Sequence, residues 1–211
     1  MTVDAVMRPK VVFVTDPMCS WCWGMAADLE RTRRDSAAVF DFDVLLGGIN
    51  VASKQPITDF ARSRLASIWR TVNEVTAARF GPGLPVGDFV YNSTRACVAV
   101  EAVRSLIHRP PFEYLLRLQR RFFVDGVDVT GSELLRDEAT AIGVDADEFD
   151  AAVAAPLILT RVRDGFALAK SHGTAALPSV LLEVDGVRRL VAGGYVDSPT
   201  LLATLNQLTR R

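Results

Sequence analysis

Apolar spacing along this chain changes character twice. Val11-Val12-Phe13-Val14 is an unbroken, largely β-branched block, which predicts a short buried strand over residues 10–15. Asp16-Pro17 breaks it. From Cys19 the spacing turns helical: Cys22, Met25, Ala26 and Leu29 fall at i, i+3, i+4 and i+7, predicting a helix over residues 19–35. Gly24 in its first turns costs about 1 kcal/mol relative to alanine, which close packing at that point would explain. Residues 40–46 begin by alternating, end fully apolar and stop at Gly47-Gly48, a second strand parallel to the first in a β-α-β unit.

Residues 56–172 then read almost entirely as helix. One segment covers residues 58–80, with Phe60, Leu65, Ile68, Trp69 and Val72 apolar. A second begins at Asn92 or Ser93, both good caps, and stops at Pro110-Pro111. Pro111 can open a third, ending at Asp125-Gly126. Thr130-Gly131-Ser132-Glu133 and Asp145-Ala146-Asp147-Glu148 look like capped starts of two short helices. A last helix runs over residues 156–171, with Gly173 at its end. Strands return over residues 179–184 and 187–191, joined by Asp185-Gly186, a strong two-residue hairpin signal. Ser198-Pro199 opens a C-terminal helix carrying Leu201, Leu202, Leu205 and Leu208.

The order is β-α-β, a helical block, then α-β-β-α. The fold class is α/β, with a discontinuous domain over residues 1–55 and 156–211 and an inserted helical domain over residues 56–155. Neither outer part could close a core alone.

Composition narrows the function. Of 211 residues, 49% are hydrophobic and 23% charged, ordinary for a globular protein, and the net charge of −1 gives no electrostatic footprint for nucleic acid. No apolar run reaches a membrane span, so no membrane partner is expected. Residues 1–10 carry Asp4, Arg8 and Pro9 and lack the apolar stretch of a leader, so the expected location is cytoplasmic. Three cysteines are too few, and odd in number, for a secreted disulfide framework.

The sharpest chemical signal is Cys19-Ser20-Trp21-Cys22, set where a strand gives way to a helix. A thiolate attacks a disulfide, and a free thiol of pKa about 8.5 is only slightly ionised at neutral pH. Lowering it to about 7 takes roughly 2 kcal/mol, which unpaired N–H groups and the dipole at a helix start could supply to Cys19. Cys22, almost one turn on, is the natural resolving thiol. Ser20-Trp21 adds no cation, which predicts a mild redox couple.

Other readings stand beside this one. Cys-x-x-Cys can be half a zinc site, but Cys97, His108 and His172 offer no completing pair at metal spacing, so no metal is expected. The pair can also be two inert core thiols. Cys97 lies on an apolar helix face and reads as a core thiol; His108 and His172 sit near helix C-termini, where histidine is favourable anyway. Arg117, Arg120 and Arg121 read as a solvated face. Asp16 either caps the helix or modulates proton transfer. Trp21 and Trp23 flank the sulfurs, as an apolar rim for substrate or as a cover for the helix start. Pro178 precedes a strand and fits either a cis peptide that bares a backbone edge for substrate or an ordinary trans proline.

The segment Asp16-Pro17-Met18-Cys19-Ser20-Trp21-Cys22-Trp23-Gly24 resembles the active site of the DsbA family of the thioredoxin superfamily, in particular its FrnE-like cytoplasmic subgroup. Asn92-Ser93-Thr94-Arg95-Ala96-Cys97, Phe122-Phe123 ahead of Asp128-Val129, and Leu177-Pro178-Ser179 with Gly193-Gly194-Tyr195 extend the likeness over essentially the whole chain. The resemblance implies a thioredoxin-like fold with a helical insertion, a Cys19 nucleophile, a Cys22 resolving thiol and a cis Pro178. It also implies disulfide oxidoreductase or isomerase activity on thiol- or disulfide-containing proteins or small thiols. Trp21, Trp23, Leu177 and Pro178 become the candidate substrate-binding residues. No bound cofactor is implied, with glutathione a candidate redox co-substrate. Two departures stand out: Ala175-Ala176-Leu177 replaces the family's glycine-containing approach to the proline, with Leu177 narrowing the groove, and Ser20-Trp21 replaces the Pro-His of secreted DsbA proteins. Glutathione-dependent isomerases and transferases of the same superfamily, acting on small aromatic substrates, share the inserted helices but typically carry serine where Cys19 stands. A non-catalytic peptide-binding or chaperone-like module is the third reading.

Overall fold

The computed structural model describes residues 8–172 and 176–209, so the leader expectation for residues 1–7, the Gly173 stop signal and Ala175 lie outside the described residues. Four strands form one sheet in the order β2-β1-β3-β4. The central strand β1 (Lys10–Thr15) pairs parallel with β2 (Asp41–Leu46) and antiparallel with β3 (Ser179–Val184), placing Phe13 between Val44 and Val180. The unbroken apolar run of β1 follows from its place, since both faces are covered. Val11 and Phe13 join the main core, whereas Val12 and Val14 pack with Leu181 and with Ala169 of α7 on the opposite face.

Between β1 and β2 runs α1 (Ser20–Ser36). Five helices follow β2: α2 (Asp59–Thr76), α3 (Thr94–Ile107), α4 (Phe112–Phe123), α5 (Ser132–Thr140) and α6 (Ala146–Ala154). Then α7 (Pro156–Ser171) returns the chain to the sheet, with proline at its first turn. The hairpin β3–β4 (Val187–Gly193) and α8 (Ser198–Thr209) complete the fold. Asp185 and Gly186 both have positive φ, 51° and 76°, as the two-residue turn requires.

Three expectations need correction. Helix α2 stops at Thr76 instead of residue 80, because Ala77 turns left-handed (φ 57°) and closes the helix on the Asn73 carbonyl. Helix α3 ends at Ile107, ahead of the proline pair, with His108 (φ 52°) as its left-handed cap. Helix α5 has no side-chain cap: Gly131 stands at that position, and Asp128 instead accepts the Thr130 N–H (2.8 Å) and hydroxyl (2.7 Å).

Helices α2 and α4 pack on α1, and α3 bridges α6 and α7. The helical segment therefore leans against the element that carries the cysteines. Gly24 marks the tightest point: a Cβ there would lie 2.6 Å from Val72 Cγ1 and 3.0 Å from Thr76 Cγ2 on α2.

Candidate active site

The sulfur pair sits at the junction of β1 and α1. Cys19 is the N-cap of α1 and extended (φ −89°, ψ 116°), so its carbonyl already accepts the Trp23 N–H at 3.0 Å. Its sulfur takes no capping N–H bond from the first turn. Sγ donates instead to the Leu177 carbonyl at 3.7 Å. The Leu177–Pro178 peptide is cis, and the Pro178 carbonyl is taken by the Gly194 N–H at 2.8 Å.

Both thiols are free. Cys19 and Cys22 are 5% and 3% exposed, so exposure does not separate them. Position does. Cys19 lines a cavity of about 1140 Å³, together with Trp21, Gly47, Ile49, Tyr91 and Leu177. Cys22 lies behind it, against a void of about 20 Å³ walled by Thr15, Leu115 and Gln119 among others. Burial pushes the Cys22 thiol up, and its hydrogen bond with Cys19 adds to that, against a hydrogen bond to Thr15 that works the other way.

The far wall of the cavity comes from α2, whose Ala61, Arg64, Leu65 and Ile68 share one helical face toward the sulfur. Sequence reading marked Leu65 and Ile68 as apolar positions of this helix but assigned none of the four to a site. Their spacing marks one helical face but not what it faces, because the cavity forms only when α2 docks on α1.

Of the sequence-named candidates, Trp21 and Leu177 line this cavity with Cys19. Leu177 closes over Gly47, where a Cβ would lie 2.7 Å from its methyl carbon. Trp23 stands elsewhere: its ring stacks on Phe123 (6.2 Å, 13°) and its Nε1 donates to the Arg79 carbonyl at 2.9 Å, joining α1 to the helical segment. Pro178 holds the chain beside Cys19 without lining the cavity.

Beneath the thiols lies a group that sequence reading underused. Asp16 is wholly buried. Its Oδ1 accepts the Met18 N–H (2.8 Å), and its Oδ2 accepts the Ser93 hydroxyl (2.6 Å) and the Cys97 thiol (3.4 Å). It does not cap α1. Ser93 in turn accepts the Ile49 N–H at 2.8 Å, and the Tyr91 hydroxyl donates to the Met18 carbonyl at 2.6 Å. One carboxyl thus ties the cysteine loop to the start of α3 and to the cavity wall after β2. Burial without a neighbouring cation raises Asp16 to about 6, the hydrogen bonds to its carboxylate only partly offsetting it. Cys97 is a buried thiol, as expected, but one engaged with this carboxylate, and burial together with Asp16 pushes it up. Among the described residues, no group of three or more His, Cys, Asp or Glu could hold a metal, and no helix is long and apolar enough to cross a membrane.

A cysteine pair at a helix start, facing a cis-proline loop across the end of a four-stranded sheet, is the arrangement shared by thioredoxin-type redox domains. The model of the DSBA-like thioredoxin domain matches residues 10–205. The chain belongs to the DSBA-like thioredoxin domain family. Solved structures agree on the fold. One from Nitrosomonas europaea, described only provisionally as a protein disulfide isomerase, superposes on this DSBA-like chain with a TM-score of 0.89 at 25% identity, covering 97% of this chain and 98% of that one. DsbM of Pseudomonas aeruginosa, described as a cytosolic disulfide reductase, gives 0.78 at 22% identity over 95% and 98%. A second DsbM structure, solved with GSH, gives 0.76 at 20% identity over 96% and 100%. A curated relative, the ClpXP adapter protein SpxH of Shouchella clausii (strain KSM-K16), is 24% identical over 144 residues, 67% of this chain but 46% of its own length. The match thus spans less than half of that curated relative.

Proposed function

We propose that this chain is a cytoplasmic dithiol–disulfide oxidoreductase in which Cys19 attacks and Cys22 resolves. Its substrates are disulfides of proteins or small thiols, and glutathione serves as redox co-substrate. The reading is carried by one observation: of the two sulfurs, Cys19 alone lines the large cavity, with Cys22 directly behind it. The family, and the neighbours described as a cytosolic disulfide reductase and as its GSH-bound form, support the chemistry and the co-substrate.

In the reductive direction the Cys19 thiolate attacks one sulfur of the substrate. That S–S bond breaks as the Cys19–substrate bond forms, and the leaving thiolate takes up a proton. Cys22 then loses its proton and attacks Cys19 Sγ, forming the Cys19–Cys22 disulfide and expelling the second substrate thiolate. Two electrons pass from the dithiol to the substrate. Because burial and the Cys19 hydrogen bond hold Cys22 protonated, it stays out of the first step and acts only once Cys19 has reacted.

The assignment makes the two cysteine variants unequal. Cys22→Ala should accumulate a stable mixed disulfide on Cys19 when mixed with glutathione disulfide or an oxidised protein, read by intact-protein mass spectrometry. Cys19→Ala should form essentially none. Adducts on Cys22 in the second variant, at a rate like that of the first, would reverse the roles.

A further inference from the structure

The cavity beside Cys19 has a charge pattern of its own. Of the described residues that line it, only Arg64 and Lys170 are charged, with no aspartate or glutamate among them. Arg64 comes from α2 and Lys170 from the last turn of α7. Both are exposed, and among the described residues neither side chain takes part in an ion pair or hydrogen bond. The cations nearest by sequence or lining a comparable hollow are engaged differently. Neighbouring Arg62 is fixed to the Pro85 and Gly87 carbonyls. In the hollow of about 670 Å³ near His108, Arg104 is neutralised by Asp43 and Glu101. What sets the cavity that holds the attacking sulfur apart is that its two cations face no carboxylate within its described lining, whereas Asp43 lines the hollow near His108.

We propose that Arg64 and Lys170 select the disulfide that reaches Cys19, favouring small disulfides that carry carboxylates on either side of the S–S bond, of which glutathione disulfide is the prototype. This rests on the assignment of Cys19 as the attacking thiol. The volume of about 1140 Å³ is of the size that encloses a small molecule. The apolar lining of Leu65, Ile68 and Trp21 suits the carbon chain of such a ligand, and Asn50, Ser53 and Gln55 supply neutral hydrogen-bonding groups. Two cations from different helices, one on α2 and one on α7, match an anion charged at both ends. They draw it in during encounter and hold its carboxylates while the sulfurs exchange.

The test uses the reduced full-length protein in single turnover, so that the dithiol itself supplies the electrons. Three probes differ in charge: glutathione disulfide is an anion, 2-hydroxyethyl disulfide is neutral and cystamine is a cation. The readout is the second-order rate constant for dithiol oxidation, followed by tryptophan fluorescence. The wild-type protein should react fastest with glutathione disulfide and slowest with cystamine. In the Arg64→Ala/Lys170→Ala protein, the ratio of the glutathione disulfide rate to the neutral-probe rate should fall about tenfold, with Arg64→Gln and Lys170→Gln each giving a smaller fall. Arg64→Glu should move cystamine ahead of glutathione disulfide. A ratio within about twofold of wild type in the double variant, against the tenfold expected, overturns the proposal. So does a preference for a large acidic peptide disulfide over glutathione disulfide that depends on the same two residues. Failure of the wild-type dithiol to react with any of the three probes would instead overturn the role given to Cys19.

Discussion

Asp16 shows how one side chain can carry a cost at neutral pH and still hold a site together. Its carboxyl accepts from Met18, Ser93 and Cys97, yet no cation stands beside it; the titratable groups that face it are Cys97 on α3, Cys22 on α1 and Tyr91 ahead of α3. Burial raises it from 3.8 to about 6. A raised acid favours the folded state when protonated, so its contribution is complete below the unfolded value near 3.8 and is lost as pH climbs through about 6. At roughly 1.4 kcal/mol per unit, the loss is about 3 kcal/mol. Asp16→Asn keeps an acceptor for Met18 and cannot ionise. Urea unfolding of both proteins between about pH 4 and pH 8 should therefore show wild type losing about 3 kcal/mol more than the variant as pH rises. Parallel stability curves would contradict this account. The residue was visible in the sequence beside Pro17 and Cys19, but its role was not. That role depends on Ser93 and Cys97, far away in the chain, which the fold alone brings to it.

Elements were legible wherever the signal was local. Helix α7 begins at Pro156 and strand β3 spans Ser179–Val184 as the sequence predicts, because a proline at a first helical turn and an Asp-Gly turn act within a few residues. Helix α2 was overextended for the converse reason. Phe80 continues the apolar pattern, but the chain turns at Ala77 and Phe80 stacks back on Trp69, with ring centroids 5.2 Å apart. Periodicity reported that Phe80 packs inward without saying how it gets there. Gly24 belongs to the same scale. Alanine there gains up to about 1 kcal/mol in helix propensity. It also drives a methyl to 2.6 Å from Val72, a side chain with no exposure, and to 3.0 Å from Thr76. Overpacking of that kind costs typically about 1–3 kcal/mol, so Gly24→Ala should lower stability by about 1 kcal/mol net, and Gly24→Ala/Val72→Ala should cost less than the sum of its two single changes. A Gly24→Ala protein as stable as wild type in urea would mean that α1 and α2 are free to move apart.

At the scale of the molecule, the sheet and the helical segment share a core instead of each closing its own. The main apolar cluster runs without a break from Val11, Phe13 and Met25 through Phe112, Leu118, Phe122 and Trp69 to Leu205. Phe13 of the central strand meets Phe112 of α4 edge-on at 6.3 Å, and Trp23 of α1 stacks on Phe123. The cavity depends on the same union, with the sulfur on one side and α2 on the other. Sequence order pointed to an insertion, but the wall it builds against Cys19 was not legible there, because no local pattern records which distant face a helix meets. A protein in which residues 56–155 are replaced by a short Gly-Ser linker would bare Phe13, Met25 and the α1 face around Trp23. Each large apolar side chain returned to water costs about 1.5–3 kcal/mol. Several such losses together reach the roughly 5–15 kcal/mol by which an ordinary domain is stable. The shortened protein should show no cooperative urea transition and no slowed exchange of the β1 amides, although every strand of the sheet remains in the chain. A sharp transition with native-like strand content would show instead that the sheet part folds independently, and that the helical segment serves only to wall the cavity beside Cys19.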